Sequence, residues 1–309
     1  MPKLLKEALS TRKALQKKPN IDLIKELSDE DVKALQGVVL EMLKDLDRVC
    51  AEHHITYMAA GGTALGAVRH EGFIPWDDDV DILMPRKDLD RFVEVFDGAM
   101  GEKYGLTSPN TKYMLESNIS AIYKKHTRKV SFEAYNTPYP KGIHVDIFAI
   151  ETVPMNPLVR RIKGTVAMGL QFIAVSTRFY HYRSAEKKRY FYQSTAGKIN
   201  WNLRCVTGAM FSFLSYETWG NLFDRFVRGP KESRLWAVPT DIGHYFGHIM
   251  PKSVYYPPKK MKFEDMELYV PRDTDTYLRN QYGDYWTIPP VEDREKHYSV
   301  EFSLYSEEE

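Results

Sequence analysis

Residues 61–85 read GGTALGAVRHEGFIPWDDDVDILMP, a segment that begins with two adjacent glycines and contains a dense run of aspartates. Asp77, Asp78, Asp79 and Asp81 lie within five positions. Two unit charges about 4 Å apart repel by about 4 kcal/mol at the effective dielectric of a protein surface. The run therefore indicates a solvated loop, a pair of helix caps, or a site that holds positive charge.

The aspartates continue into a predicted strand, DDDVDILMP, which Pro85 ends. Alternate side chains of a strand share a face, so Asp77, Asp79 and Asp81 are predicted to point one way and Asp78 the other. Asp79 and Asp81 can then bind one hard cation, with Asp77 as a further candidate ligand. Mg²⁺ fits, with Mn²⁺ as an alternative, because it takes few carboxylates and fills its other positions with water and substrate phosphate. Asp78 is predicted to be a cap or an ion-pair partner.

A third acid is expected from another strand. In KGIHVDIFAI, Val145 and Ile147 alternate with His144, Asp146 and Phe148, which is the period of a half-buried strand. Asp146 has apolar neighbours on the opposite face, as a functional carboxylate facing a site would. We therefore expect Asp146 to complete the acidic arrangement.

The glycines before the aspartates suggest an anion site. A short predicted strand, ITYMAA, leads into Gly61, Gly62 and Thr63, and the helix-like ALGAVRH follows. Glycines allow close approach of backbone N–H groups to an anion, and a helix N-terminus adds a favourable dipole. These three residues are candidates for binding the phosphate of a donor.

Three residues between the glycines and the aspartates are further candidates for donor binding. Arg69 suits a bidentate contact with phosphate, and His70 suits orientation through hydrogen bonding. Trp76 could stack on a nucleobase or enclose a quaternary ammonium. Structural roles remain open for all three, and core packing is the alternative for Trp76.

The chain divides into four predicted parts. A basic extension occupies residues 1–27, and a mixed α/β core spans residues 28–152, beginning with a long amphipathic helix that Ser28 caps in a capping box with Asp31. Residues 153–256 form a basic, mainly helical insertion, and residues 257–309 return to the core. The core and its return carry the candidate site.

The insertion carries the local charge of a chain that is otherwise balanced, with 43 Lys and Arg against 42 Asp and Glu. Residues 153–236 contain 14 Lys and Arg but four acids, with aromatics interleaved in RFYHYRSAEKKRYFY. This segment is either a solvated helical region or a surface for an anionic polymer or anionic lipid headgroups. No nucleic-acid module is visible, so we expect no nucleic-acid partner.

Localisation follows from what the sequence lacks. We find no signal peptide and no apolar run of spanning length, and Cys50 and Cys205 form no metal or redox motif. We expect a cytoplasmic protein with reduced thiols that contacts the inner face of the plasma membrane peripherally.

Residues 61–86, GGTALGAVRHEGFIPWDDDVDILMPR, resemble the signature of the LicD family, which includes fukutin and fukutin-related protein. GIHVDIF resembles the family's third-carboxylate strand, FEDMELYVP the strand after it, and YLRNQYGDYWTIPP its closing Tyr-Gly-Asp motif. The basic region stands as a variable insertion. The resemblance implies a nucleotidyltransferase-like α/β (α+β) fold, a mixed sheet flanked by helices.

The resemblance also implies an activity, the Mg²⁺-dependent transfer of phosphocholine or an alditol phosphate from a CDP-linked donor, with release of CMP. The acceptor would be a hydroxyl of a glycan, such as a lipid-linked or anionic precursor of teichoic acid or lipopolysaccharide. Asp79 and Asp81 would hold the ion against the donor diphosphate, and Asp146 would take the acceptor proton. FAIE after Asp146 departs from the proline and second acid of many relatives, which leaves the donor open.

Two alternatives stay open. An enzyme of the same fold could attack the α-phosphorus and transfer a nucleotide, or the chain could be a non-catalytic module that binds glycans or lipid headgroups. The acids argue against the second, because a binding module has little reason to keep three converging carboxylates.

Additional candidates lie towards the C-terminus. Asp284, in QYGDYW, is a possible neighbour of the site, although Gly283 also fits a helix-ending turn with a left-handed conformation. Arg294 and His297 could reach back to the donor. His244 and His248 have metal-like i,i+4 spacing without an evident third ligand.

Overall fold

The computed structural model describes residues 23–111, 118–294 and 298–307 of this chain. Most of the predicted N-terminal extension falls on residues 1–22, outside these ranges. The core elements, in chain order, are β1 (Lys25–Glu26), α1 (Asp29–Glu52), β2 (Met58–Ala59), α2 (Gly61–Arg69), β3 (Asp81–Pro85), α3 (Arg86–Ala99), β4 (Tyr104–Thr107), β5 (Ser120–Lys124), β6 (Arg128–Val130) and β7 (His144–Thr152). Helices and a mixed sheet confirm the predicted α/β class.

The remaining elements form the helical region and the C-terminal return. The helical region contains α4 (Pro157–His181), α5 (Ala185–Phe191), α6 (Thr195–Phe211), α7 (Tyr216–Val227), β8 (Leu235–Ala237), α8 (His244–Gly247), β9 (Met250–Pro251) and α9 (Lys252–Tyr255). The return contains β10 (Lys259–Phe263), β11 (Met266–Val270), α10 (Thr274–Tyr282), a 3-10 turn (Val291–Asp293), β12 (Tyr298–Ser299) and β13 (Glu301–Ser303). Among the described residues, no helix is both long and apolar enough to cross a bilayer.

Helix α1 begins as the sequence predicts. The Ser28 hydroxyl accepts from the Asp31 backbone N–H at 3.1 Å, and the Asp31 carboxylate accepts from the Ser28 N–H at 3.2 Å. This reciprocal pair satisfies two N–H groups that a helix start otherwise leaves open. The buried face of α1 packs into the main core through Leu35, Val39, Met42, Leu43, Leu46, Val49 and Cys50.

The central sheet has the strand order β2-β3-β7-β5-β4, and β8 and β9 extend it from the end of β7. Strands β3 and β7 run parallel, whereas the other pairs are antiparallel. Their register places Asp81 opposite Asp146 and Ile82 opposite Ile147. Buried Val145 and Ile147 alternate with partly exposed His144 and Asp146, as predicted for β7.

The predicted strand DDDVDILMP is shorter in the structure, since regular pairing begins only at Asp81. Side chains bind the preceding carbonyls instead. Gln36 Nε2 donates to the Asp77 carbonyl at 2.9 Å, and Lys129 Nζ donates to the Asp78 carbonyl at 2.7 Å. Asp77, Asp78 and Asp79 therefore lie in a loop that side chains hold in place.

The predicted glycine turn is also different, because α2 begins at Gly61 itself. Ala60 is extended, and Gly61 turns the chain into the helix with φ of +44°. Only glycine adopts this conformation readily. The two glycines thus form the first turn of α2, at the edge of the sheet where β3 begins.

The helical region is joined to the core by the sheet and by buried charge. Strand β8 pairs with the end of β7, and helices α4 and α7 surround a second apolar cluster that includes Val153, Ala167 and Phe223. The C-terminal return packs on the other side of the core. Helix α10 contacts α2, and the N–H of Gly61 donates to the Tyr277 hydroxyl at 3.1 Å.

Candidate active site

Two acids from neighbouring strands form the centre of the candidate site. Asp81 and Asp146 are paired in the register of parallel strands β3 and β7. The Asp146 side chain is 23% exposed, yet its Oδ1 atom is buried and has no hydrogen-bond partner among the described residues. A buried polar atom without a hydrogen-bond partner is rare in native proteins, and binding of an ion is one of its explanations.

The loop before β3 adds three more carboxylates. One oxygen each from Asp77, Asp78 and Asp79 lie within 4.8 Å of one another. Lys129 Nζ lies 3.0 Å from the Asp78 carboxylate, which confirms the predicted ion pair. The prediction that Asp78 points away from its neighbours was wrong, because these residues form a loop and not a strand.

The close approach of these acids shifts the pKa values of Asp81 and Asp146. Burial raises the pKa of Asp81 well above its usual value, and Asp79, Asp146, Asp77 and Asp241 each raise it further. Burial also raises the pKa of Asp146, where His144 opposes the rise. All the charged groups that act on Asp81 in this way are carboxylates. A cation would relieve their repulsion.

The glycines of α2 are packed against these carboxylates. A Cβ atom at Gly62 would lie 2.5 Å from Asp77 Oδ2, and one at Gly61 would lie 3.3 Å from Asp81 Oδ2. Thr63 Oγ1 accepts from the Asp81 N–H at 2.9 Å. Gly61, Gly62 and Thr63 therefore position the acids, while their predicted contact with donor phosphate stays a prediction.

Arg69, His70, Trp76 and Arg294 form a polar and aromatic cluster near the chain's C-terminal return. Arg69 donates from Nη1 to the Tyr285 carbonyl at 2.8 Å and from Nε to His70 Nε2 at 3.0 Å. Burial lowers the pKa of His70, and the charge of Arg69 lowers it further, so the imidazole is neutral at pH 7. The edge of the His70 ring meets Trp76 with centroids 6.3 Å apart.

Arg294 is brought to the same cluster, with its guanidinium carbon 4.0 Å from the centroid of the Trp76 ring. This is the geometry of a cation–π contact. Sequence reasoning named both residues separately, and the structure places them together. Their roles in donor binding stay predictions.

The other C-terminal candidates are not in this cluster. Asp284 is exposed and accepts from Thr287 Oγ1 at 2.6 Å, in the turn after Gly283, whose φ is +69°. His297 lies outside the described residues. His244 Nδ1 lies 3.2 Å from Gln171 Oε1, and His248 Nδ1 lies 2.6 Å from Asp241 Oδ2, so the two rings have different partners.

Sequence reasoning missed Asp241. This acid raises the pKa of Asp81, and it forms a hydrogen-bonded pair with buried His248. Gln281 Nε2 lies 3.5 Å from Asp241 Oδ2 and 2.8 Å from the Tyr277 hydroxyl, which links the pair to Gly61. The one feature of the sequence that singles out Asp241 is that no other acid lies between Glu232 and Glu264.

Tyr282 was also missed. A Cβ atom at Gly61 would lie 3.5 Å from its hydroxyl, which therefore approaches the start of α2 beside Asp81. Tyr282 is 43% exposed as a whole, but desolvation of its hydroxyl end raises its pKa, and the charges of Asp81, Asp77 and Asp241 add to the rise. The phenol is neutral at physiological pH and can donate a hydrogen bond at this edge of the site.

The similarity to known proteins agrees with this geometry. Residues 54–160, which contain all of β2, β3 and β7, match the family described as LicD/FKTN/FKRP, nucleotidyltransferase domain. The chain is 28% identical over 269 residues to a protein of Haemophilus influenzae named lipopolysaccharide cholinephosphotransferase LicD, covering 86% of this chain and 95% of that protein.

Two shorter matches are to uncharacterised rickettsial proteins. One, from Rickettsia prowazekii, is 41% identical over 68 residues, which are 20% of this chain and 26% of that protein. The other, from Rickettsia typhi, is 40% identical over 55 residues, 18% of each chain. Together the family match and the long alignment confirm the resemblance to the LicD family.

Proposed function

We propose that this chain, whose residues 54–160 match the LicD/FKTN/FKRP nucleotidyltransferase domain, transfers phosphocholine from a CDP-linked donor to a glycan hydroxyl and releases CMP. The acceptor class is a cell-envelope glycan precursor of the lipopolysaccharide or teichoic-acid type. The name of the Haemophilus relative, lipopolysaccharide cholinephosphotransferase, supports phosphocholine as the transferred group and lipopolysaccharide as the type of acceptor.

The observation that carries the proposal is the pairing of Asp81 with Asp146 in the register of β3 and β7. The charges of Asp77 and Asp79 act on Asp81, and that of Asp79 acts on Asp146, so the loop acids lie near the pair. Oxygens of Asp77, Asp78 and Asp79 lie within 4.8 Å of one another and supply further hard donors. The Asp146 Oδ1 atom, which has no hydrogen-bond partner among the described residues, and the four carboxylates that raise the pKa of Asp81 fit a divalent cation. Mg²⁺, or Mn²⁺ in its place, would neutralise the donor diphosphate and the charge that develops on the CMP leaving group.

The residues of the chain have separate roles in this proposal. Asp77, Asp79 and Asp81 supply oxygen ligands, and Thr63 holds the backbone of Asp81 in place. Asp146 accepts the proton of the acceptor hydroxyl as its oxygen bonds to the phosphorus and the bond to the CMP oxygen breaks. The pKa of Asp146, raised by burial, makes it a stronger base than an ordinary carboxylate.

The cluster of Trp76 and Arg294 is the proposed contact for the donor's base or choline group. Arg294 covers Trp76, which also packs partly against the main core as the alternative interpretation expects. A ligand ring or a quaternary ammonium would bind the part of the indole that these neighbours leave exposed. Arg69 lies within the same cluster and is the proposed contact for donor phosphate.

The test is a donor screen with purified chain. CDP-choline, CDP-ribitol and CDP-glycerol are each incubated with an acceptor glycan and Mg²⁺, and CMP release is followed. We expect release with CDP-choline, its loss in chelator, and its recovery when Mg²⁺ or Mn²⁺ is restored. Asp284→Asn is the matched control, because it removes an exposed acid that caps a turn.

Two results would overturn the proposal. Nucleotide attached to the acceptor would indicate attack at the α-phosphorus and a nucleotidyltransferase. Undiminished ligand binding in chelator, without turnover of any CDP donor, would indicate a binding module.

A further inference from the structure

Helix α4 has apolar side chains on two opposite faces. Its inner face packs into the helical region through buried Gly164, Ala167, Gln171 and Ala174. Its outer surface, which we define as Leu158, Val159, Ile162 and Val166, faces solvent, and Leu158 and Ile162 are 67% and 58% exposed. Residues 158, 162 and 166 recur every four positions and so lie along one side of the helix. An exposed apolar patch of this kind marks an interaction site.

The charged side chains that α4 itself contributes have one sign, although Glu151 acts on Lys163 at its inner end. No acidic residue lies between Glu151 and Glu186, whereas Arg160, Arg161 and Lys163 lie in the first two turns of α4. Arg161 is exposed beside the outer surface. Apolar side chains flanked by cations, with no acids, are typical of helices that lie at the surface of an anionic membrane.

The neighbouring helix repeats the pattern. Helix α6 also contains no acid, and its Val206 and Met210 are 61% and 64% exposed. It packs against α4, with Gly208 close to the backbone of Ser176. The feature therefore belongs to two packed helices of the insertion.

The inner face of α4, opposite the outer surface, is connected to the acidic site. Short helix α8 packs against α4, where Gly164 leaves room for the Phe246 ring and Gln171 contacts His244. Ile242, just before α8, is 62% exposed and directly follows Asp241, which acts on Asp81.

We propose that the outer surface of α4 binds a bilayer that contains anionic phospholipid. A second copy of the chain fits less well, because a two-fold contact through α4 would bring like charges together and supply no acid from α4 to pair with them. The lipid binding itself is independent of the proposed function. The consequence that a lipid-linked acceptor is met at the bilayer surface rests on that function.

The test is vesicle cosedimentation of the full chain. We expect binding to vesicles of phosphatidylglycerol and phosphatidylcholine, and little binding to phosphatidylcholine alone or at about 0.5 M salt, where charges are screened within a few ångströms. Leu158→Glu/Ile162→Glu should weaken binding at least about 10-fold. The matched control is Leu304→Glu/Tyr305→Glu, which makes the same change at exposed apolar residues after β13.

Equal weakening in the control, or no binding of the unaltered chain to anionic vesicles, would overturn the proposal. So would a dimer in light scattering that only Leu158→Glu/Ile162→Glu dissociates, because the surface would then bind a second copy. CMP release with a water-soluble acceptor should stay unchanged in this variant, and this readout also reports on its folding. If the unaltered chain binds vesicles but releases no CMP, the proposed function is wrong, and the proposal that the outer surface of α4 binds lipid is retained.

Discussion

The protein contains two clusters of acids, one buried and one largely half-buried, that differ in how their charge is balanced. At the junction of core and helical region, Arg86 Nη2 lies 2.6 Å from Glu151 Oε1 and 2.8 Å from Asp224 Oδ1. Arg228 lies 3.3 Å from the same Asp224 and 2.7 Å from Asp90. Burial would lower the pKa of Arg86, but the two carboxylates outweigh it and raise that pKa.

The second cluster lies at the start of β3, and no arginine among the described residues forms an ion pair with it. Asp81 is surrounded by Asp79, Asp146, Asp77 and Asp241, all of which raise its pKa. Lys129 is paired with Asp78 at the edge of this cluster. The difference separates two uses of buried charge. Acids matched to arginines connect parts of the fold, whereas acids whose main electrostatic neighbours are other acids would be stabilised by a cation.

Replacing the central acid should give the largest effect. We expect Asp81→Asn to lower CMP release by about 10³-fold, because it removes a charged oxygen ligand at the reacting diphosphate. The measurement is steady-state release with saturating CDP-choline. If Asp81→Asn released CMP as fast as the unaltered chain, the acids around Asp81 would not bind a catalytic cation, and the proposed difference between the two clusters would be wrong.

Breaking the matched cluster should instead destabilise the fold. Arg86→Met leaves Glu151 and Asp224 buried without their shared guanidinium, and we expect the free energy of unfolding to fall by about 3–5 kcal/mol. Urea unfolding measures the change. The control, Arg279→Met, removes an exposed pair with Asp275 and should cost less than about 1 kcal/mol. Similar losses in both variants would contradict the structural role of the matched cluster.

Asp241 tests how far the unbalanced cluster extends. Asp241→Asn keeps the contact to His248 but removes the charge that acts on Asp81, and we expect turnover to fall about 10- to 100-fold, as for residues that support metal ligands. A higher requirement for Mg²⁺ should accompany the loss. Asp284→Asn, which changes an exposed acid, should leave both quantities unchanged.

The smallest expected effect is on stability against pH without divalent ions. A carboxyl whose pKa is raised on folding stabilises the protein below its unfolded pKa, and this contribution is lost as pH rises through the raised folded pKa. The chain should therefore lose stability as pH rises from the ordinary carboxylate range. At pH 7, Asp81→Asn should raise the Tm by about 2–4 °C, the shift for about 1 kcal/mol in a large domain. An unchanged Tm would contradict the inference that the acids around Asp81 repel one another.

Local patterns predicted the elements of the fold well. The period-2 alternation around Asp146, the capping box at Ser28 and the break at Pro85 all correspond to local backbone preferences, and the structure has them. The extent of the strand before Asp81 was not predictable, because contacts from Gln36 and Lys129, distant in sequence, hold that loop.

The candidate acids could be named from the sequence where a local pattern marks each of them. Asp77, Asp79, Asp81 and Asp146 follow from motif and alternation. Asp241 does not, since it reaches the others only through the packing of α8 and α10 around Tyr277 and His248. The meeting of Trp76 and Arg294 likewise depends on the path of the C-terminal return.

The packing of Gly62 against Asp77 has a consequence for anyone who wishes to retune the donor range. A methyl group at this position would collide with a carboxylate oxygen, so even alanine would displace Asp77. Randomised libraries should therefore leave Gly61 and Gly62 untouched and vary Trp76 and Arg294. Diversity at those two positions changes the aromatic cluster and leaves the acids where they are.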